Sequence, residues 1–211
     1  MRFIVKGKYT GNESALPSRD TTGSTQFKEP ENMTELSRVV TTISLVLMFI
    51  MFLIFGFVCG INDINPFAHY IQILFAGLFS VLVFLPHEFL HAICFKGDVE
   101  FYENLKQGML FVVGTEDMSR ARFIFMSLLP TIVFGFIPFT IFLFKPASVF
   151  CGLFGGVNIA AGAGDFFNIY NAIRQVPKGA MIFMSGLHSY WYDPKDKKAG
   201  SVILDDQQDS I

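Results

Sequence analysis

Four long apolar runs, at about 39–60, 66–95, 121–144 and 147–173, constrain the fold of this chain more than any other feature. The first carries no charged residue and is long enough to cross the ~30 Å hydrocarbon core of a bilayer. As one helix the second would measure ~45 Å, so it must tilt or break. Pro86 is the expected breakpoint, because it lacks an N–H and its ring crowds the carbonyl of Leu82. Asn65 followed by Pro66 reads as the start of this run, a side-chain cap followed by a proline whose missing donor costs nothing there. The third run contains Pro130 and Pro138. The fourth is rich in small residues, among them Gly155, Gly156, Gly162 and Gly164, which let helices approach closely in lipid, so it should form a central helix.

Composition agrees with this pattern. Only 16% of the 211 residues are charged and 26 are Phe, against about a quarter charged in an ordinary soluble domain. The expected fold is an all-α integral membrane protein of about four transmembrane helices. A small β element should lie between helices two and three, and a short strand near residues 1–9 should open a loosely ordered arm. The chain divides into an N-terminal arm (1–38), a four-span domain (39–178) and a C-terminal tail (179–211), whose charged end from Asp193 onward should also be loosely ordered. No cleavable leader is expected, since the first apolar run begins only near Val39.

A formal charge of −2 and the lack of any matching motif argue against a nucleic-acid partner. Cys59, Cys94 and Cys151 fall in or beside apolar runs without paired spacing and read as small buried hydrophobes. Of the 16 Lys and Arg residues, all but Lys145 lie before run one, between or at the edges of runs two and three, or after run four. The positive-inside rule therefore puts both termini and the middle loop in the cytoplasm. The sequons at Asn12 and Asn32 would then carry no meaning.

Run two contains His87-Glu88-Phe89-Leu90-His91, an HExxH motif. On a helix, residues four apart share a face, so both imidazoles can reach one metal ion, with Glu88 beside them as the base. Zinc at such a site lowers the pKa of its bound water to about 7, which makes a nucleophile able to attack an amide. Burying a carboxylate in a bilayer costs ~2.5 kcal/mol or more, and within the four runs only Glu88 and Asp165 are acidic. Two lone acids on different helices point to one shared polar site. The offset of His91 from Lys96 and that of Asp165 from Arg174, the flanking cytoplasmic charges, differ by only ~6 Å in helical rise.

Asp165 is therefore the candidate third ligand for a single Zn2+. Cys94, three residues after His91 on the same face, is the rival ligand. The alternative role for Asp165 is a helix-packing hydrogen bond to Asn158 or Asn168. Asn158, seven residues before Asp165, could hold a substrate carbonyl, orient Asp165 or bond between helices. Asn168 is a candidate for the same supporting role. His69 and His188 read as structural or interfacial. The run 108–115, apolar and β-branched between glycines, reads as a strand.

HEFLH inside a hydrophobic helix, followed by an Asp on a Gly-rich later helix, resembles the site-2 protease class of intramembrane metalloproteases. More closely, the chain resembles a bacterial group of zincin-type membrane metallopeptidases of similar size, with four spans, a Pro near the HExxH and a later Gly-Asp-x-x-Asn element, here Gly164 to Asn168. The likeness covers about 39–192. In the site-2 class an Asn and a Pro precede an Asp-Gly pair; here Asn158 is present, the Pro is absent and Phe166 follows Asp165. The resemblance implies a zinc-dependent protease in a bacterial plasma membrane, acting on membrane-associated polypeptides. It also implies that a strand made of Met109, Leu110, Phe111, Val112 and Val113 pairs with unwound substrate, which exposes the scissile amide. Two other readings remain: a membrane metallohydrolase acting on a lipid or small amide, and a non-catalytic metal-binding membrane protein.

Overall fold

The structure, a computed structural model, describes residues 2–195; most of the charged end expected to be loosely ordered, 196–211, lies outside them. Strand β1 (Phe3–Lys8) and the two-residue β2 (Thr25–Gln26) precede helix α1 (Met33–Ile61). Asn32 starts α1 by accepting a hydrogen bond from the Glu35 N–H at 3.0 Å, which satisfies one of the donors that every helix start leaves open. The second run begins with a short turn at Pro66–His69, where the Asn65 side chain accepts from Phe67 N at 3.1 Å. It continues as α2 (Tyr70–Leu82) and α3 (Phe84–Ala92), bent by 43°.

The bend is not at Pro86, as the sequence predicts, but three residues earlier, at Val83. A proline cannot donate to the preceding turn, but its missing N–H is harmless in a first turn. The chain opens at Val83 so that Pro86 falls in the first turn of the new helix.

The third run is one continuous helix, α4 (Arg120–Pro130) passing through a π-helical stretch (Thr131–Phe136) into α5 (Ile137–Phe144). The wide π turns follow directly on Pro130, where the regular ladder has lost a donor. The fourth run is two helices, not the single one expected: α6 (Val149–Ala161) and α7 (Ala163–Gln175) meet at 49°. Gly162 forms the corner, and its N–H donates to Asn158 O at 3.1 Å. A Cβ on Gly162 would overlap Thr131 Oγ1 in the π stretch, so the corner can sit there only because the residue has no side chain.

Helix α6 packs on α1, α2, α5 and the π stretch, as a small-residue helix should. At Gly155 a Cβ would stand 2.5 Å from Phe139 N and 2.8 Å from Gly135 O. Backbone cannot give way as a side-chain tip can. Gly155→Ala should therefore lower stability by ~1–3 kcal/mol, read by chemical unfolding in detergent. Gly77→Ala, where a Cβ meets nothing within 4 Å, should leave the transition in place.

Helices α1 and α4–α5 are each long and apolar enough to cross a membrane, and the two bent pairs raise the number to four if each is one span. Only 17% of the apolar window of α1 is buried within the protein. Its outer face shows Leu45, Phe49 and Phe57, and α2 adds Leu74, Leu78 and Val81. A continuous apolar exterior of this extent exceeds what a monomer keeps in water.

The all-α expectation is corrected by seven strands in two sheets among the described residues. Strands β3 (Val99–Asn104) and β4 (Met109–Val113) form a sheet in the order β1-β3-β4, with β1 parallel to β3. Strands β5 (Met118–Ser119), β6 (Met181–Ser185) and β7 (His188–Tyr192) join β2 in the order β2-β7-β6-β5. The N-terminal arm is built in as well, contrary to the loose order expected of it. Leu16 and Phe27 are buried, the Arg19 guanidinium lies 4.1 Å over the Phe183 ring, and Glu29 accepts from Ser189 N at 2.8 Å. Residues 181–185 and 188–192 thus form a hairpin whose aromatic residues Phe183 and Tyr190 face each other, and its outer edges pair with β5 and β2, far away in sequence.

Candidate metal centre

Opening the chain at Val83 starts a fresh helix four residues before His87, whose N–H donates to Val83 O at 2.8 Å. One turn later comes His91, and the two rings sit edge to face with centroids 4.9 Å apart. Ligand atoms of His87, Glu88 and His91 lie within 4.8 Å of one another. Helix α7 brings Asp165 in its first turn, directly after the Gly162 corner. Asp165 Oδ1 is 3.1 Å from His91 Nε2 and Oδ2 is 3.2 Å from His87 Nε2. Glu88, His91 and Asp165 are all buried, and His87 nearly so.

These residues fit a divalent metal. Two donors each ~2.1 Å from one tetrahedral ion are ~3.4 Å apart, close to both Asp165–His separations. Asp165 Oδ2 is buried and makes no well-aligned hydrogen bond, although His87 Nε2 is 3.2 Å away, which leaves two potential acceptors facing each other when the ring is neutral. Two acceptors this close repel unless a cation stands between them, and one divalent ion would answer for both contacts. On the far side of the His91 ring, Nδ1 lies 3.0 Å from Met126 O of α4. A carbonyl only accepts, so Nδ1 must carry a proton, and in the neutral ring that a metal requires Nε2 then presents its lone pair toward Asp165.

Other residues singled out in the sequence lie elsewhere. The Cys94 thiol is turned back on Leu90 O at 3.5 Å. Asn158 donates from Nδ2 to Phe154 O at 2.7 Å, one turn back on its own helix. That bond ties its buried amide to its own helix. Asn168 is half-buried one turn beyond Asp165. His69 Nδ1 is 3.2 Å from Gln72 Nε2 at the start of α2, and His188 Nδ1 is 3.4 Å from Glu29.

Strand β4 covers Met109, Leu110, Phe111, Val112 and Val113. It is the outer strand of its sheet, with its second edge unpaired among the described residues, and it packs on α3. The same sheet touches the motif itself, through Phe3 of β1 against Phe89 at 5.9 Å.

Sequence reasoning missed the residues that hold α3 from α4 and the loop before it. Arg122 donates from Nε to Cys94 O at 3.0 Å and pairs with Glu116 at 2.6 Å. Glu116 in turn accepts from the N–H groups of Lys96, at 2.6 Å, and Gly97. Helix ends leave carbonyls that need donors, so an Arg at the rim of an apolar run was a usable signal. Its partner could not be read from the sequence, because Cys94 and Arg122 are 28 positions apart.

No curated protein and no solved structure matches the chain. Residues 80–181, which contain the HExxH helix, strand β4, helix α4 and Asp165, match the model of the family described as "Putative zincin peptidase".

Proposed function

We propose that the protein is a zinc-dependent peptidase embedded in a lipid bilayer, cutting membrane-associated polypeptides at a site made by α3 and α7. The observation that carries this reading is the reach of one carboxylate, Asp165, from a separate helix to the Nε2 atoms of both HExxH histidines. His87, His91 and Asp165 would hold one Zn2+ as three protein ligands, the usual set for a catalytic zinc. When bound, zinc supplies Lewis acidity that brings a water to about neutral pKa and polarises a carbonyl. Glu88, buried beside the two histidines, would take the proton of the attacking water and return it to the leaving amine. The free edge of β4, against the motif helix, supports substrate binding by strand addition, in which an extended segment offers its scissile amide.

The apolar exterior of the helices supports the bilayer as their surroundings. Pairing of the N-terminal, middle and C-terminal segments in two shared sheets supports one common side for all three, and the basic residues favour the cytoplasm. Single cysteines placed in the 105–107 turn should resist membrane-impermeant reagents in intact cells, while one beside Lys145 should label. Outside labelling of the middle turn would overturn this orientation. The function itself is tested by metal analysis of the purified protein together with cleavage of a model transmembrane substrate. One zinc per chain with chelator-sensitive cleavage supports the reading, and zinc-loaded protein that leaves polypeptides intact sinks it.

A further inference from the structure

We propose that Pro130 is a positioning residue for this centre: by withholding an N–H from the Met126 carbonyl, it leaves that oxygen free to hold the His91 ring with Nε2 facing Asp165. The inference rests on the reading of His91 as a metal ligand. In an α-helix the carbonyl of residue i accepts from the N–H of residue i+4, and for Met126 that residue is Pro130, which has none. The next amide along, Thr131 N–H, donates to Leu128 O instead. The Met126 carbonyl is therefore without its partner in the helix ladder, in an apolar setting where an unsatisfied backbone group is costly.

His91 supplies the missing donor from the neighbouring helix, with Nδ1 at 3.0 Å in buried surroundings. Met126 and Pro130 are both buried, and Ala92, next to His91, shares a packed cluster with Met126. The gap left by the proline and the need of the ring are thus answered by one bond. That bond fixes the tautomer: with the proton on Nδ1, the lone pair on Nε2 is presented 3.1 Å from Asp165 Oδ1. Partners of this kind, behind a metal ligand, orient the ring and raise its basicity.

The test uses full-length protein in bilayers with 15N-labelled histidine, read by solid-state NMR without metal, and zinc titration in parallel. The His91 signals are identified by their loss in His91→Asn. Wild-type His91 should be protonated at Nδ1; a metal-free wild type protonated at Nε2 overturns the proposal whatever the variants do. Pro130→Ala restores the competing N–H, and should mix the tautomers and weaken zinc binding by about tenfold, the lower end for loss of such a partner. Lactic acid at position 130 is the ester analogue of Pro130→Ala and again lacks an N–H, so it should recover both readouts.

Unchanged tautomer and affinity in Pro130→Ala, or an ester variant as weak as Pro130→Ala, overturns the proposal, the latter because ring packing would then be the cause. Failure of the zinc reading looks different: wild type would take up no zinc while His91 stayed protonated at Nδ1.

Discussion

Asp165→Ala should reduce zinc affinity by more than the ~10–100-fold that loss of an outer-shell partner costs, because it removes a ligand itself. Two imidazoles one turn apart are a weak zinc site, and catalytic zinc normally has three protein ligands and a water. Asp165 comes from a separate helix to both Nε2 atoms, at 3.1 and 3.2 Å. Asp165→Asn should keep part of the affinity, since an amide oxygen can still coordinate. The helices should insert as before, because insertion follows from the apolar runs. Cys94→Ala is the control: its thiol is occupied with Leu90 O, so zinc content should be unchanged. The measurement is equilibrium dialysis against a competing chelator, with circular dichroism to confirm helix content. Full zinc affinity in Asp165→Ala would remove α7 from the centre.

Glu88→Gln should separate binding from chemistry. The amide keeps the size of the side chain but cannot take a proton, and loss of a general base typically costs 10²–10⁴-fold in rate. Zinc content should stay at the wild-type level, because the three proposed ligands are untouched. His87→Ala and His91→Ala should instead lose metal and activity together. The readout is single-turnover cleavage of the model transmembrane substrate alongside metal analysis of the same preparation. Cleavage by Glu88→Gln within a few-fold of wild type would exclude Glu88 as the base.

Much of this protein was legible without coordinates, and the legible parts share a physical character: each is local along the chain or follows from the cost of burial. The apolar runs announce helices because length and hydropathy act residue by residue. HExxH announces two imidazoles on one face because the helical period is the same in any helix. Asp165 stands out because a carboxylate in an apolar run must find a polar partner, and it meets the HExxH histidines in the structure. Strand β4 shows in its β-branched residues.

What the tertiary structure decided involves segments far apart or choices among local alternatives. Pro86 says where a helix cannot run unbroken, but not on which residue it opens, and packing put the bend at Val83. Asn158 shares a nominal face with Asp165, yet the corner at Gly162 turns α7 by 49° and leaves the Asn158 amide on its own helix. The pairing of β1 with β3, offset by about 95 positions in register, has no local trace, since its strands are stabilised only after a long loop closes. Nor does any periodicity place His91 Nδ1 on Met126 O. The sequence records that Pro130 denies this carbonyl a donor; only the approach of α3 to α4 determines which side chain takes the vacant place.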